Sequence, residues 1–199
     1  IRKKEPVFSW KKIIQYGLIS GVAVLYVCLV GMVEAFNDRD VIFEILTLGL
    51  SLLVVISVGM GFVVAQKQSA GKAGKALVGG LVVGLISGVM TSFLVILSET
   101  TNIREMFVNA SPALVEILTF SQDSLSTGLV MLIGFLTLFS ILGAAIYLIP
   151  PVPRRMLVAG LSAVLLIGML QELLDVILSR HDLTKSLANF LFAKNGLSV

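Results

Sequence analysis

Charge is scarce in this chain. Asp, Glu, Lys and Arg make up only 14% of its 199 residues, whereas soluble chains carry about a quarter. Hydrophobic residues make up 57% and the mean hydropathy is +1.01, which excludes an ordinary water-soluble domain. A single cysteine, Cys28, excludes a disulfide framework or a thiolate metal cluster within the chain. It sits in an apolar run and reads as a small buried or lipid-facing hydrophobe. The one histidine, His181, has no second imidazole to form a metal pair. Its position in Ser-Arg-His-Asp, beyond an apolar run, suits an exposed interfacial residue better than an axial haem or chlorophyll ligand. No Walker motif, nucleotide fingerprint, metal-ligand spacing or nucleophile–base set is present. No catalytic residue, metal or cofactor is therefore expected. The net charge of +3 comes from basic residues at the ends of apolar runs, which suits lipid headgroups and argues against nucleic acid.

What the chain does have is a series of long uncharged runs. The most informative is Ala76 to Ser98, ALVGGLVVGLISGVMTSFLVILS. At about 1.5 Å per residue it is long enough to cross a hydrocarbon core of about 30 Å. Gly80, Gly84 and Gly88 recur four apart and share one helical face. Small residues on such a face let a second helix approach closely in lipid, where hydrophobic burial does not draw helices together. The stretch is expected to be a packed central transmembrane helix.

Five spans are expected in an all-α polytopic bundle. Residues 1–12 form a basic leader that ends in Trp10, Lys11 and Lys12, with Trp10 and Tyr16 as interfacial anchors. Ile13 to Val33 is longer than a signal-peptide core and lacks a small-residue cleavage site, so it is taken as a retained span. An acidic turn, Glu34 to Asp40, leads to a second span at about Val41 to Ala65. The basic link Gln66 to Lys75 leads to the central span. In the long connection Glu99 to Ser126, Ser111 and Pro112 look like the N-cap and first position of a short interfacial helix ending near Phe120. The fourth span is about Thr127 to Ile149, closed by Pro150-Pro-Val-Pro153, and the fifth is about Met156 to Leu178. Residues 179–199 form an amphipathic interfacial tail with Leu183, Leu187, Phe190 and Leu191 at helical spacing.

Charge supports this order. The leader and the links after spans two and four hold 10 of the 15 basic residues and only Glu5 of the 12 acids. An N-terminus in the cytoplasm and a C-terminus outside then satisfy the positive-inside rule at every link between spans. Only the tail, with Arg180, Lys185 and Lys194, runs against it. A parallel repeat of a helical hairpin is also suggested. Gly17-Leu-Ile-Ser-Gly-Val22 recurs as Gly84-Leu-Ile-Ser-Gly-Val89, and Glu44-Ile-Leu-Thr47 as Glu116-Ile-Leu-Thr119. This makes Gly17 and Gly21 further helix-packing candidates beside Gly80, Gly84 and Gly88. Gly84→Leu is expected to weaken assembly, and Gly128→Leu, near a span end, to matter less.

Most acids fall on the outer face and read as solvated loop charges. Glu172 and Asp175 differ, because they lie three apart on one helical face near the end of the fifth span. They are candidate buried carboxylates, for which structural ion pairing with Arg180, Lys185 or Arg104 is a simpler role than a proton or cation relay.

Two outer segments carry a resemblance. One is Val30-Gly-Met-Val-Glu-Ala-Phe36 with Arg39-Asp40 and Glu44-Ile-Leu-Thr-Leu-Gly49; the other is Met106-Phe-Val-Asn-Ala-Ser-Pro112 leading into Glu116-Ile-Leu-Thr-Phe120. They resemble the extra N-terminal membrane region ahead of the permease core in some bacterial branched-chain amino acid ABC importers of the LivM type. The resemblance implies a segment of a transport permease in the bacterial inner membrane, with membrane lipids and the helices or subunits of a complex as its partners. It hands no substrate-binding residue to this chain. The start at Ile1 and the finish at Lys194-Asn-Gly-Leu-Ser-Val199 are expected of a portion of a longer polypeptide. The reading from another class is an accessory subunit that scaffolds a respiratory or photosynthetic complex and transports nothing.

Overall fold

The structure, a computed structural model, describes residues 8–30, 40–42, 46–69, 72–101, 106–107, 111 and 113–179, with the backbone alone at 30, 40–42, 46, 165, 169 and 171–179. The protein is an all-α helical bundle and a multi-pass membrane protein. Five of its helices are long and apolar enough to cross a bilayer: α1 (Trp10–Val30), α2 (Leu48–Gln68), α3 (Ala73–Thr100), α5 (Leu125–Leu148) and α6 (Pro151–Ser179). A short α4 (Leu114–Leu118) lies between α3 and α5, and a small antiparallel ladder of β1 (Asp40–Ile42) and β2 (Leu46–Thr47) precedes α2.

Two boundaries differ from those expected, each for a local reason. The second span begins at Leu48 rather than near Val41. Thr47 has extended backbone angles, and its side-chain oxygen accepts a hydrogen bond from Leu50 N at 3.3 Å, so it caps the helix there. Val41, Ile42 and Leu46 before it belong to the ladder. The fifth helix begins at Pro151, not Met156, so Pro151 and Pro153 lie inside it. The first-turn N–H groups of a helix have no intrahelical acceptor, and proline costs little there. Ser111 accepts from Ala113 N through Oγ at 3.2 Å, but the helix proper starts at Leu114. The tail at 180–199 and His181 lie outside the described residues.

After α4 the chain turns sharply. Phe120 (φ 55°) and Ser121 (φ 52°) adopt left-handed backbone angles, and Ser121 N donates to Glu116 O at 2.8 Å. Two consecutive non-glycine residues in that region are costly. The Phe120 ring, 5.3 Å from that of Phe135 on α5, anchors the turn.

Contacts at one end fix helix direction. Ser9 N, just before α1, donates to Gln68 Oε1 at the end of α2 (3.2 Å), and Lys75 near the start of α3 lies over the Phe8 ring. At the same end Arg154, in the first turn of α6, donates to Tyr147 O on α5 at 3.0 Å and lies over the Phe62 ring of α2. Hence α1, α3 and α6 run one way, and α2 and α5 the other. Every lysine and arginine with a described side chain (Lys11, Lys12, Lys67, Lys72, Lys75, Arg154, Arg155) lies at this end. The acids with described side chains, Glu99, Glu116 and Asp123, lie at the opposite one.

The principal core gathers Val24 and Cys28 of α1, Leu53 of α2, Val95 of α3, Leu118 of α4, and Leu132 and Leu136 of α5. By contrast, α6 leaves most of its surface uncovered, with Leu161, Leu166, Ile167 and Leu170 at least half exposed. Thr47→Ala should cost about 1 kcal/mol by removing the α2 cap, seen as a lower unfolding midpoint in detergent, while Thr47→Ser should keep the wild-type midpoint.

Candidate functional site

The densest architecture in the molecule is the contact of α3 and α2 with α5, and it is made of small residues. Gly80, Gly84 and Gly88 all lie on the face of α3 turned to α5. A methyl group added at Gly80 would lie 2.8 Å from Ser140 O and 2.9 Å from Ala144 Cβ; at Gly88 it would lie 2.9 Å from Ile133 Cα. At Gly84 it would overlap Thr137 Cα and stand 3.0 Å from Leu136 O. The partners descend along α5 as the glycines ascend α3, so the two helices are antiparallel. Because the nearest atoms met are backbone or Cβ, no rotamer change can make room.

Gly17 and Gly21 of α1 face α3. A methyl at Gly17 would come within 2.7 Å of Ile86 Cδ1, and one at Gly21 would overlap Met90 Sδ. Here the register rises on both helices, as a parallel pair requires. The neighbours are flexible side-chain ends, so this contact is softer than that of α3 with α5.

Two glycines outside the expected set are as tightly held. A Cβ at Gly61 of α2 would fall on the Ser140 carbonyl of α5, and one at Gly143 of α5 on the Val58 carbonyl of α2. Neither belongs to a four-residue glycine series, so spacing gave no signal. Their only mark is a small residue in an otherwise bulky apolar run. Gly128, expected to tolerate substitution, does not face lipid. The turn after α4 folds Thr119 onto it, with Thr119 Cβ 2.7 Å and Thr119 O 3.0 Å from a Cβ there. Gly59 and Gly134 have nothing within 4 Å and are the permissive positions instead.

Small hydroxyl residues fill the same interior. Ser20, Ser57, Ser87, Ser92 and Ser140 are buried, and their hydroxyls, with that of Thr137, have no hydrogen-bond partner in the structure. Thr91 donates to Ser87 O at 2.8 Å, tying its hydroxyl to its own helix. Among the described residues, no group of three or more His, Cys, Asp or Glu side chains is placed to hold a metal ion. Cys28 is buried in the apolar core. Glu172 and Asp175 lie on α6, in the portion where the backbone alone is described. Among the described residues the arrangement is one of close helix contacts lined by glycine and small hydroxyl side chains.

No family model, curated protein or solved structure matches this chain.

Gly84→Leu should destabilise the bundle by about 3 kcal/mol or more, since overpacking against backbone has no cheap relief. Gly128→Leu should behave similarly, whereas Gly134→Leu should stay within about 0.5 kcal/mol of wild type. Equilibrium unfolding in mixed micelles, followed by circular dichroism, distinguishes the three.

Proposed function

We propose that this chain is an integral membrane module of a transport permease, of the kind used by bacterial branched-chain amino acid ABC importers, in which it holds helices together and handles no substrate itself. The observation that carries the reading is the rigid α2–α3–α5 contact, with backbone meeting backbone at Gly61, Gly80, Gly84 and Gly143. Such a unit suits the fixed part of a transporter against which other helices move. The resemblance of the outer segments to the N-terminal region of LivM-type permeases supports the same reading. The separation of described cations and acids to opposite ends favours an N-terminus in the cytoplasm of a bacterial inner membrane and a C-terminus outside.

Exposed apolar faces are available for further helices or lipid. On α1 Ile19, Val22 and Tyr26 are exposed, and on α3 Val89 and Phe93. These belong to different sides of their helices from the glycine contacts, so the module can lock internally and still meet a permease core.

In a Cys28→Ala background, Glu99→Cys should react with a membrane-impermeant maleimide in intact cells, and Lys72→Cys only after permeabilisation. The reverse pattern overturns the orientation. For the transport reading, deleting the chain should abolish uptake of labelled leucine, isoleucine or valine. Gly84→Leu should lower the maximal rate through loss of assembled permease while leaving KM unchanged. Unaltered uptake after deletion, with the chain recovered in a redox or pigment complex, would instead establish the scaffold role.

A further inference from the structure

Between α2, α5 and α6 lies a half-open cleft of about 470 Å³. Val54, Val58 and Phe62 line it from α2, Phe139 and Ile146 from α5, and Leu161 from α6. Ser162 supplies its one polar side chain. The three walls are in register. Phe62, Ile146 and Val158 lie toward the basic end, and Val54, Phe139 and Val164 lie deeper in the bundle. The cleft therefore runs along the bundle axis for about 12 Å, the length of eight residues of helix.

At its basic end stands Arg154, one helical turn before Val158. Its guanidinium lies 5.6 Å from the centres of both the Phe62 and Tyr147 rings, and Nη1 donates to Tyr147 O. Phe62 thus belongs both to the cleft wall and to the support of the arginine. A guanidinium carries five N–H donors in a fixed plane, and its fork geometry matches two oxygens of a phosphate. Arg155 follows, exposed, at the same level.

We propose that this cleft holds one acyl chain of an anionic phospholipid, whose phosphate is bound by Arg154 with Arg155 beside it. The lining, apolar but for Ser162, suits hydrocarbon and not a polar solute. A flexible hydrocarbon chain suits an apolar cleft open to the bilayer beside loosely covered α6, and the guanidinium at its mouth selects a negative headgroup over a second apolar helix. The occupant seals α6 against α2 and α5, which meet it through few direct contacts. The inference does not depend on the transport reading, because any role in a membrane would leave the cleft and the arginine in place.

Gly59 offers a direct test. It lines the cleft, and a side chain there would meet nothing within 4 Å, so Gly59→Phe fills the slot without disturbing the helix contacts. Native mass spectrometry of the full chain in mild detergent, titrated separately with phosphatidylglycerol and phosphatidylcholine, should show one tightly held phosphatidylglycerol and little phosphatidylcholine. Gly59→Phe, and Val164→Phe from the opposite wall, should abolish that adduct, while Gly134→Phe, which adds the same bulk outside the cleft, should retain it. Arg154→Gln should weaken phosphatidylglycerol binding roughly tenfold and leave phosphatidylcholine unchanged. Equal retention of lipid by Gly59→Phe and Val164→Phe with wild-type helicity, or equal binding of the two lipids, overturns the proposal. So does loss of a second polypeptide rather than a lipid from the filled variants.

Discussion

The Ser140 carbonyl of α5 is the point on which the bundle turns. Gly61 of α2 and Gly80 of α3 both press against it, so three helices meet where no side chain intervenes. In water, apolar side chains would supply much of the cohesion, but in lipid the surroundings are as apolar as the interior. Close approach of backbones, with its dense dispersion contact, takes over that role. Glycine on α2, α3 and α5 follows from this one requirement, as does the preference for serine and threonine over leucine beside it. Small hydroxyls keep the interhelical distance short.

The same requirement divides the molecule into a hard part and a soft part. Around Ser140, Thr137 and Val58, backbone faces backbone and the geometry has one solution. Between α1 and α3, Gly17 and Gly21 meet the ends of Ile86 and Met90, which have other rotamers to adopt. The basic end of the bundle is joined differently again, by Gln68 receiving Ser9 N and by Arg154 lying against the Phe62 and Tyr147 rings. These contacts tie helix ends together without bringing backbones into contact.

How much of this the sequence discloses depends on whether a feature is periodic. Gly80, Gly84 and Gly88 announce a face through their spacing, and the number and order of spans follow from apolar length and charge. Gly61 and Gly143 carry no period. Gly59 and Gly61 differ only in which way the helix turns them, one to a cleft and one to a carbonyl, and that depends on the position of α5. The start of α2 was obscured because Val41, Ile42 and Phe43 continue the apolar run, although Thr47 held the capping signal. Pro151 and Pro153 looked like a break because proline ends helices, yet it also begins them. The constraint on Gly128 is tertiary and leaves no mark in the sequence: a pair of left-handed residues, Phe120 and Ser121, brings Thr119 back onto it.

The opposite placement of described cations and acids has a further consequence. The described basic and acidic side chains stand at opposite ends of the bundle, so no ion pair among them joins one helix to another. The α2–α3–α5 contact is then indifferent to ionic strength, which screens charges, and to proton concentration, which removes them. What it must answer to is mechanical: the lateral pressure of the acyl chains and the thickness of the hydrocarbon slab. A bundle joined by fit alone is tuned to the membrane that squeezes it, and a thinner or more fluid bilayer would loosen it where salt and acid would not.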